Sequence, residues 1–266
     1  PGATRWYAYL EHSTDDPWFN DHAYVDTLNP DAIRLFLDIT HEAYAREVGD
    51  SFGGVIPSIF TDEPQFCPKE VLPFAAEEGA DAVLPWTEKL PELFRERYGR
   101  ELLDALPELF WERADGELPT VRWQFQNLVT DRFVECYANQ IGRWCEEHGL
   151  KLTGHVMDED TLRSQTGAVG SAMRCYGAFG IPGIDNLRDE HQFNTAKQTQ
   201  SRVRQLGREG MLSELYGVTG WDYDFRGYKL QGDWQAALGV TLRVPAFSSM
   251  GLFSMSKLSL SPSGKL

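Results

Sequence analysis

The chain has 266 residues, 42% hydrophobic and 24% charged, with a formal net charge of −15. That composition sustains one large core or two small ones, while a field of that sign repels phosphate backbones and excludes nucleic acid as a partner. No run of about eighteen apolar residues occurs, so no membrane span is expected, and no apolar h-region opens the chain to mark a signal peptide.

The first element is a strand in "TRWYAYLEH", ending at Glu11-His12. "NPDAIRLFLDITHEAYAREV" follows as a helix. Asn29 caps it, Pro30 suits the first helical position, and Asp31 suits the positive end of the dipole. Ile33, Phe36, Ile39 and Ala43 recur on its apolar side. "GGVIPSIFTDEP" is then a strand that ends in two adjacent acids, Asp62 and Glu63.

A long connection runs from Pro64 to about Val121 and holds two short helices, in "LPWTEKLPELFRERYG" and "ELLDALPELFWERADGELP". On the catalytic face of a barrel a connection of that length builds a wall or lid. "VRWQFQNLVTDRFVECYANQIGRWCEEHG" is the clearest helix, with Phe125, Val129, Phe133, Cys136, Ile141 and Trp144 on one face and Gly149 as its stop. The strand "LKLTGHVM" comes next, and then a glycine-loosened helix in "LRSQTGAVGSAMRCYGAFG". Three more units follow: the strand "IPGIDN", the helix "NTAKQTQSRVRQLGREG" with the strand "MLSELYG", and the helix "DWQAALGVTLR" with the strand "VPAFSSM".

Helix and strand alternate strictly, which predicts a parallel sheet of βαβ units. Each strand ends in polar residues: Glu11-His12, Asp62-Glu63, His155, Asp185-Asn186, Glu214 and Ser248-Ser249. Polar residues gathered at the carboxyl ends of many strands point to a (β/α)8 TIM-type barrel. A doubly wound sheet would concentrate them at one switch point, and the glycine-rich phosphate-binding motifs are absent. Six strands are read, so the barrel is incomplete. They are assigned as its third to eighth strands, with the long insertion after the fourth. The chain starts Pro1-Gly2-Ala3 without methionine and is expected to be a fragment or a processed product. The barrel occupies residues 1–250, and the serine-rich segment 251–266 is expected to be a disordered tail or a truncation scar.

The chemistry follows from the strand ends. Two carboxylates on opposite walls of a pocket perform glycoside hydrolysis, one protonating the leaving oxygen and the other attacking the sugar or activating water. Glu63 and Glu214, on strands four and seven, lie across the barrel mouth from each other. Asp62 precedes Glu63, so in a continuing strand only one of the two faces the pocket. Asp62 either orients a hydroxyl, raises its neighbour's pKa, or is structural. His155 reads as a hydrogen-bond partner for a substrate hydroxyl or as a satisfied structural histidine. The acids that follow it, Asp158, Glu159 and Asp160, read as a solvated loop with a calcium site as the minor alternative.

Asp185 and Asn186 suit hydroxyl recognition and equally an Asx-turn. Tyr216, Trp221 and Tyr223 suit stacking on apolar sugar faces and equally the closing of a barrel end; Trp18 and Trp86 carry the same pair of readings. Cys67, Cys136, Cys145 and Cys175 have no metal or redox spacing and read as buried thiols. No G-x-S-x-G elbow is present, and six histidines are too few at strand ends for a metal-dependent hydrolase.

The strings "YVDTLNPDAIRLFLDITHEAY", "IFTDEP", "PWTEKLPELFRERYGRELLDALPELF", "GHVMDEDTLRSQTGAVG" and "SELYGVTGWD" resemble the barrel domain of large bacterial glycoside hydrolases. The likeness is nearest to the α-L-rhamnosidase-like group around glycoside hydrolase family 106, within the wider β-galactosidase-type clan, and spans roughly residues 24–247. The resemblance implies a barrel in a longer, secreted or periplasmic, multi-domain protein acting on oligo- or polysaccharide. In that clan the fourth strand commonly ends Asn-Glu, which makes Glu63 the acid or acid/base and Glu214 the nucleophile. Asp62 stands here where the asparagine would be. The rhamnosidase-like group is inverting and holds Ca2+, and there Glu214 would activate water. The alternative reading is a non-catalytic carbohydrate-binding barrel that holds sugars through Trp221, Tyr223, His155 and Asp185.

Overall fold

A computed structural model describes residues 7–66, 82–111, 116–187, 191–220 and 222–245. Five parallel strands form one sheet in chain order: β1 (Ser58–Thr61), β2 (Lys151–Gly154), β3 (Ile181–Asp185), β4 (Leu212–Leu215) and β5 (Leu242–Pro245). The sheet curls into a half-barrel. Its register sets Thr61 beside Gly154 and Asp185 beside Glu214, so the polar strand ends share one rim.

Among the described residues five strands stand where six were expected. Residues 7–15 carry no strand, and Tyr7, Tyr9 and Leu10 are exposed. A strand exists by pairing, and alternation alone cannot supply the partner. The short bridge between Asp16 and His22 is the first β-contact instead. The segment 251–266 and the Ser248-Ser249 strand end lie outside the described residues.

The first helical run is continuous from Pro30 to Val48: α1 (Pro30–Phe36), a π-turn (Leu37–His41) and α2 (Glu42–Val48). Asn29 caps it, its side chain accepting from the Asp31 amide. The buried stripe is Ile33, Leu37 and His41, and Ile39 is 64% exposed. The expected Ile33–Phe36–Ile39–Ala43 stripe holds at Ile33, which is buried, and at Phe36, which packs against the core, and departs at Ile39 within the π-turn, where an added residue turns the face.

Between β1 and β2 lie α3 (Leu90–Tyr98), α4 (Leu102–Phe110), α5 (Thr120–Phe133), a second π-turn (Val134–Asn139) and α6 (Gln140–Glu147). All six residues expected on the inner face of the α5–α6 run are buried. Asp131 on α5 ties this layer together, pairing with Arg97 of α3 at 2.7 Å and Arg174 at 2.9 Å.

The glycine-loosened helix is two short ones, α7 (Leu162–Ala168) and α8 (Ala172–Cys175). Gly170 breaks them apart at φ +79°, where a Cβ would strike the Thr130 side chain. The remaining helices are α9 (Phe193–Leu206) and α10 (Phe225–Ala237).

Burial is uneven. One large core joins β1 and β2 to α1 and α3–α8, filled by Phe66, Phe94, Phe125, Phe133, Tyr176 and Phe179. Trp86 packs against it. Under β3–β5 a second cluster of described residues joins Ile184, Ala196, Met211 and Val240. Cys136, Cys145 and Cys175 are free and buried as expected, and burial raises the pKa of each. No helix among the described residues is long and apolar enough to cross a membrane.

Candidate active site

The rim of the half-barrel gathers four carboxylates, Asp62, Glu63, Asp185 and Glu214, around His155. The local cause is Gly154. Its φ is +115°, and a Cβ there would lie 2.0 Å from the Thr61 carbonyl oxygen, so β1 and β2 approach more closely than any side chain permits. His155, next in sequence, donates its backbone N–H to Thr61 O at 3.3 Å. On the far side of β1 the Thr61 hydroxyl meets Tyr137 Oη at 2.6 Å. Tyr137 comes from the π-turn after α5, which fixes the end of the strand.

β1 stops at Thr61, and Glu63 takes φ +45°. This corrects the expectation that only one acid of the pair faces the pocket. The left-handed residue breaks strand alternation and turns both carboxylates toward the same imidazole. Asp62 Oδ1 lies 3.5 Å from His155 Nε2. A ring nitrogen of His155 and carboxylate oxygens of Glu63 and Asp185 lie within 4.8 Å of one another. From β4, Glu214 Oε2 accepts a hydrogen bond from His155 Nε2 at 3.0 Å. Glu214 is mostly buried, whereas 71% of the Asp62 side chain is exposed.

His155 itself is fully buried. Burial alone lowers its pKa, but the hydrogen bond to Glu214 and the charges of Glu159, Asp185 and Asp62 together outweigh it and push it up to about 9. These contacts favour the imidazolium form of the ring. Its Nδ1 makes no hydrogen bond, so that end is compensated by charge alone.

Desolvation raises the Glu63 pKa, His155 opposes the rise, and Asp62, Asp158 and Glu214 add to it. Burial, with Glu214, Glu63 and Asp62 adding to it against His155, pushes Asp185 up to about 6. Both carboxyls hold their protons more tightly than ordinary acids, and carboxyls perturbed by burial and close neighbours mark a candidate site.

Glu159 was read as part of a solvated loop. It is 5% exposed, and burial pushes its pKa up to about 8. Its Oε1 accepts the Asp185 backbone N–H at 2.7 Å, and its Oε2 accepts the Tyr176 hydroxyl. Its partners lie 17 and 26 residues away, so nothing in the acidic run "DED" marks it out.

Other expected residues are placed differently. Asn186 is buried against α10, where Gln231 and Gln235 donate to its backbone oxygen and Gln231 also to its side chain. Tyr216, at φ +70°, and Tyr223 both set their rings against Tyr228 of α10, at 4.7 and 4.9 Å. Trp221 and Cys67, like the side chain of Trp18, lie outside the described residues.

No family model matches the chain, and no curated protein matches it. Among solved structures, a rhamnosidase from Novosphingobium sp. PP1Y is similar in fold, with a TM-score of 0.61 at 17% sequence identity. The match covers 84% of this chain and 20% of that one, so the chain spans about a fifth of the length of the protein it matches.

Proposed function

We propose that the chain is part of the catalytic barrel of a glycoside hydrolase, with a rhamnoside as its substrate class. The observation that carries this reading is the convergence of Glu63 and Glu214 on one buried imidazolium at the carboxyl ends of parallel strands. The fold likeness to a rhamnosidase supports it. β1 and β4 then serve as the fourth and seventh strands of an eight-stranded barrel.

Glu63, exposed at the rim with a carboxyl that partial burial makes hold its proton more tightly than an ordinary one, is the general acid for the leaving oxygen. Glu214, oriented by His155, attacks the anomeric carbon or takes the proton of an attacking water. Asp62 and Asp185 bind sugar hydroxyls at the same rim.

The site also fits a hard cation. Four carboxylates face a single imidazolium, and Asp185 Oδ1 is buried without a hydrogen-bond partner. Asp62 and Asp185 would hold Ca2+ through oxygen, the ligand it prefers. A bound ion would supply positive charge for sugar hydroxyls.

The test is turnover of 4-nitrophenyl α-L-rhamnopyranoside and a panel of other aryl glycosides, with Glu63→Gln and Glu214→Gln compared against the parent. Each substitution is expected to lower kcat by about 100- to 10,000-fold. Sugar binding with no turnover in the parent would overturn the enzyme and leave a carbohydrate-binding barrel.

A further inference from the structure

Asp185 sits at the last position of β3, over the smaller of the two cores. Glu63, Asp62 and Glu214 repel its carboxyl and His155 attracts it. Its backbone is held separately, by a contact from the loop after β2. Glu159 is carried there between Asp158, at φ +53°, and the Thr161 cap of α7. Its backbone oxygen is gripped from two helices, by Gln165 Nε2 of α7 at 2.9 Å and by Gln198 Nε2 of α9. Gln165 in turn accepts the Ala172 amide at 3.0 Å through Oε1. The Glu159 side chain reaches inward, is held at Oε2 by Tyr176 from the large core, and takes the Asp185 N–H at Oε1.

We propose that Glu159 is the positioning residue for Asp185: backed by Tyr176, it clamps the backbone amide of Asp185 and so sets the Asp185 carboxyl against His155. The clamp joins the large core under β1 and β2 to the end of β3. Its function is geometric. Glutamine reproduces it, accepting the Asp185 N–H through Oε1 and donating its amide to the Tyr176 oxygen. That a carboxyl buried this deeply tends to keep a proton agrees with a neutral replacement being tolerated.

The activity arm of the test rests on the glycoside hydrolase reading, and the exchange arm does not. Amide hydrogen exchange at Asp185 is measured in the parent chain, Glu159→Ala, Glu159→Gln and Tyr176→Phe. Exchange is expected to speed up at least about tenfold in Glu159→Ala, less in Tyr176→Phe, and not in Glu159→Gln. In parallel, kcat/KM on 4-nitrophenyl α-L-rhamnopyranoside is measured for Glu159→Ala, Asp185→Asn and the double variant. Glu159→Ala is expected to lose about 100-fold alone, the scale of an ångström of misplacement, and less than about twofold when Asp185 is already asparagine.

A general loss of stability would multiply through both backgrounds and would speed exchange at amides far from Asp185. Either result overturns the proposal, as does unchanged Asp185 exchange in Glu159→Ala. If Glu159→Ala does not fold, Tyr176→Phe and Glu159→Gln carry the exchange measurement: faster Asp185 exchange in the first and parent-like exchange in the second support the clamp, and any other pattern overturns it. If the parent chain turns over no aryl glycoside, the enzymatic reading falls while the exchange data still decide the clamp.

Discussion

Glu63 combines two features that a stability-driven chain would avoid in one residue. It holds a left-handed backbone without being glycine, which costs roughly 1–2 kcal/mol for an L-residue. It also places a carboxyl among other carboxyls, where Asp62, Asp158 and Glu214 all disfavour its charge. Strain of this kind persists where the surroundings hold it, and it clusters at functional sites. Replacing Glu63 with glycine is therefore expected to raise the unfolding free energy by about 1 kcal/mol, since glycine takes positive φ freely, and to abolish the proposed turnover. Urea denaturation measures the first effect, and a lower midpoint in Glu63→Gly would show that the conformation is not strained. The acid pair itself was legible in "TDEP". The convergence of both acids was not, because the period of two assumes that the strand continues through Glu63.

At the scale of elements, glycines and π-turns decide where the side chains land. Gly154 lets β1 and β2 close up, and His155 rides on that approach. Alanine at 154 would be strained at φ +115° and would collide with Thr61 O. Gly154→Ala is expected to destabilise the chain by about 3 kcal/mol and to move His155 away from Glu214. The ring protons of His155, followed by NMR across pH, would then titrate nearer the ordinary 6.5 than 9; a parent-like titration would show that the approach does not position the ring. The two π-turns act on the helices as Gly154 acts on the strands. One turns Ile39 out to solvent, and the other delivers Tyr137 to Thr61. Period counting finds the helices on either side but not the extra residue within them, because one added residue changes the phase and leaves the composition alone.

For the whole molecule, the acid group makes stability depend on pH with a single sign. His155 has a folded pKa of about 9 against 6.5, so its contribution is complete below 6.5 and lost as pH rises through 9. Glu159 and Asp185 are acids raised to about 8 and 6 from 4.5 and 3.8. They too bind protons more tightly when folded, so their contributions are present at low pH and lost as pH rises through 6 and 8. All three make the folded state the better proton binder, and unfolding free energy falls as pH rises. With EDTA present, the urea midpoint is expected to be lower at pH 9 than at pH 6. A midpoint that rises across that window would mean the imidazolium and the buried acids are not coupled as described. The uneven core bears on the same transition. Large aromatic side chains anchor β1 and β2, whereas the described residues under β3–β5 form a cluster without aromatic rings, so the second half is expected to be the first to open.

The amino-acid sequence by itself determined the alternation of helix and strand, the inner face of the long helix before β2, the Asn29 cap and the residues that end the strands. Each of these depends on neighbours within a turn or two, where periodicity, capping and turn chemistry act. Tertiary structure decided which strand ends meet. It put His155 at the centre rather than at the side, turned Asn186 toward α10, left the first expected strand unpaired, and buried Glu159 beneath Asp185. Those outcomes rest on contacts between residues tens of positions apart and on the burial that follows. Burial is also what shifts the proton affinities of the group, and no local pattern in a chain encodes the depth at which a side chain will lie.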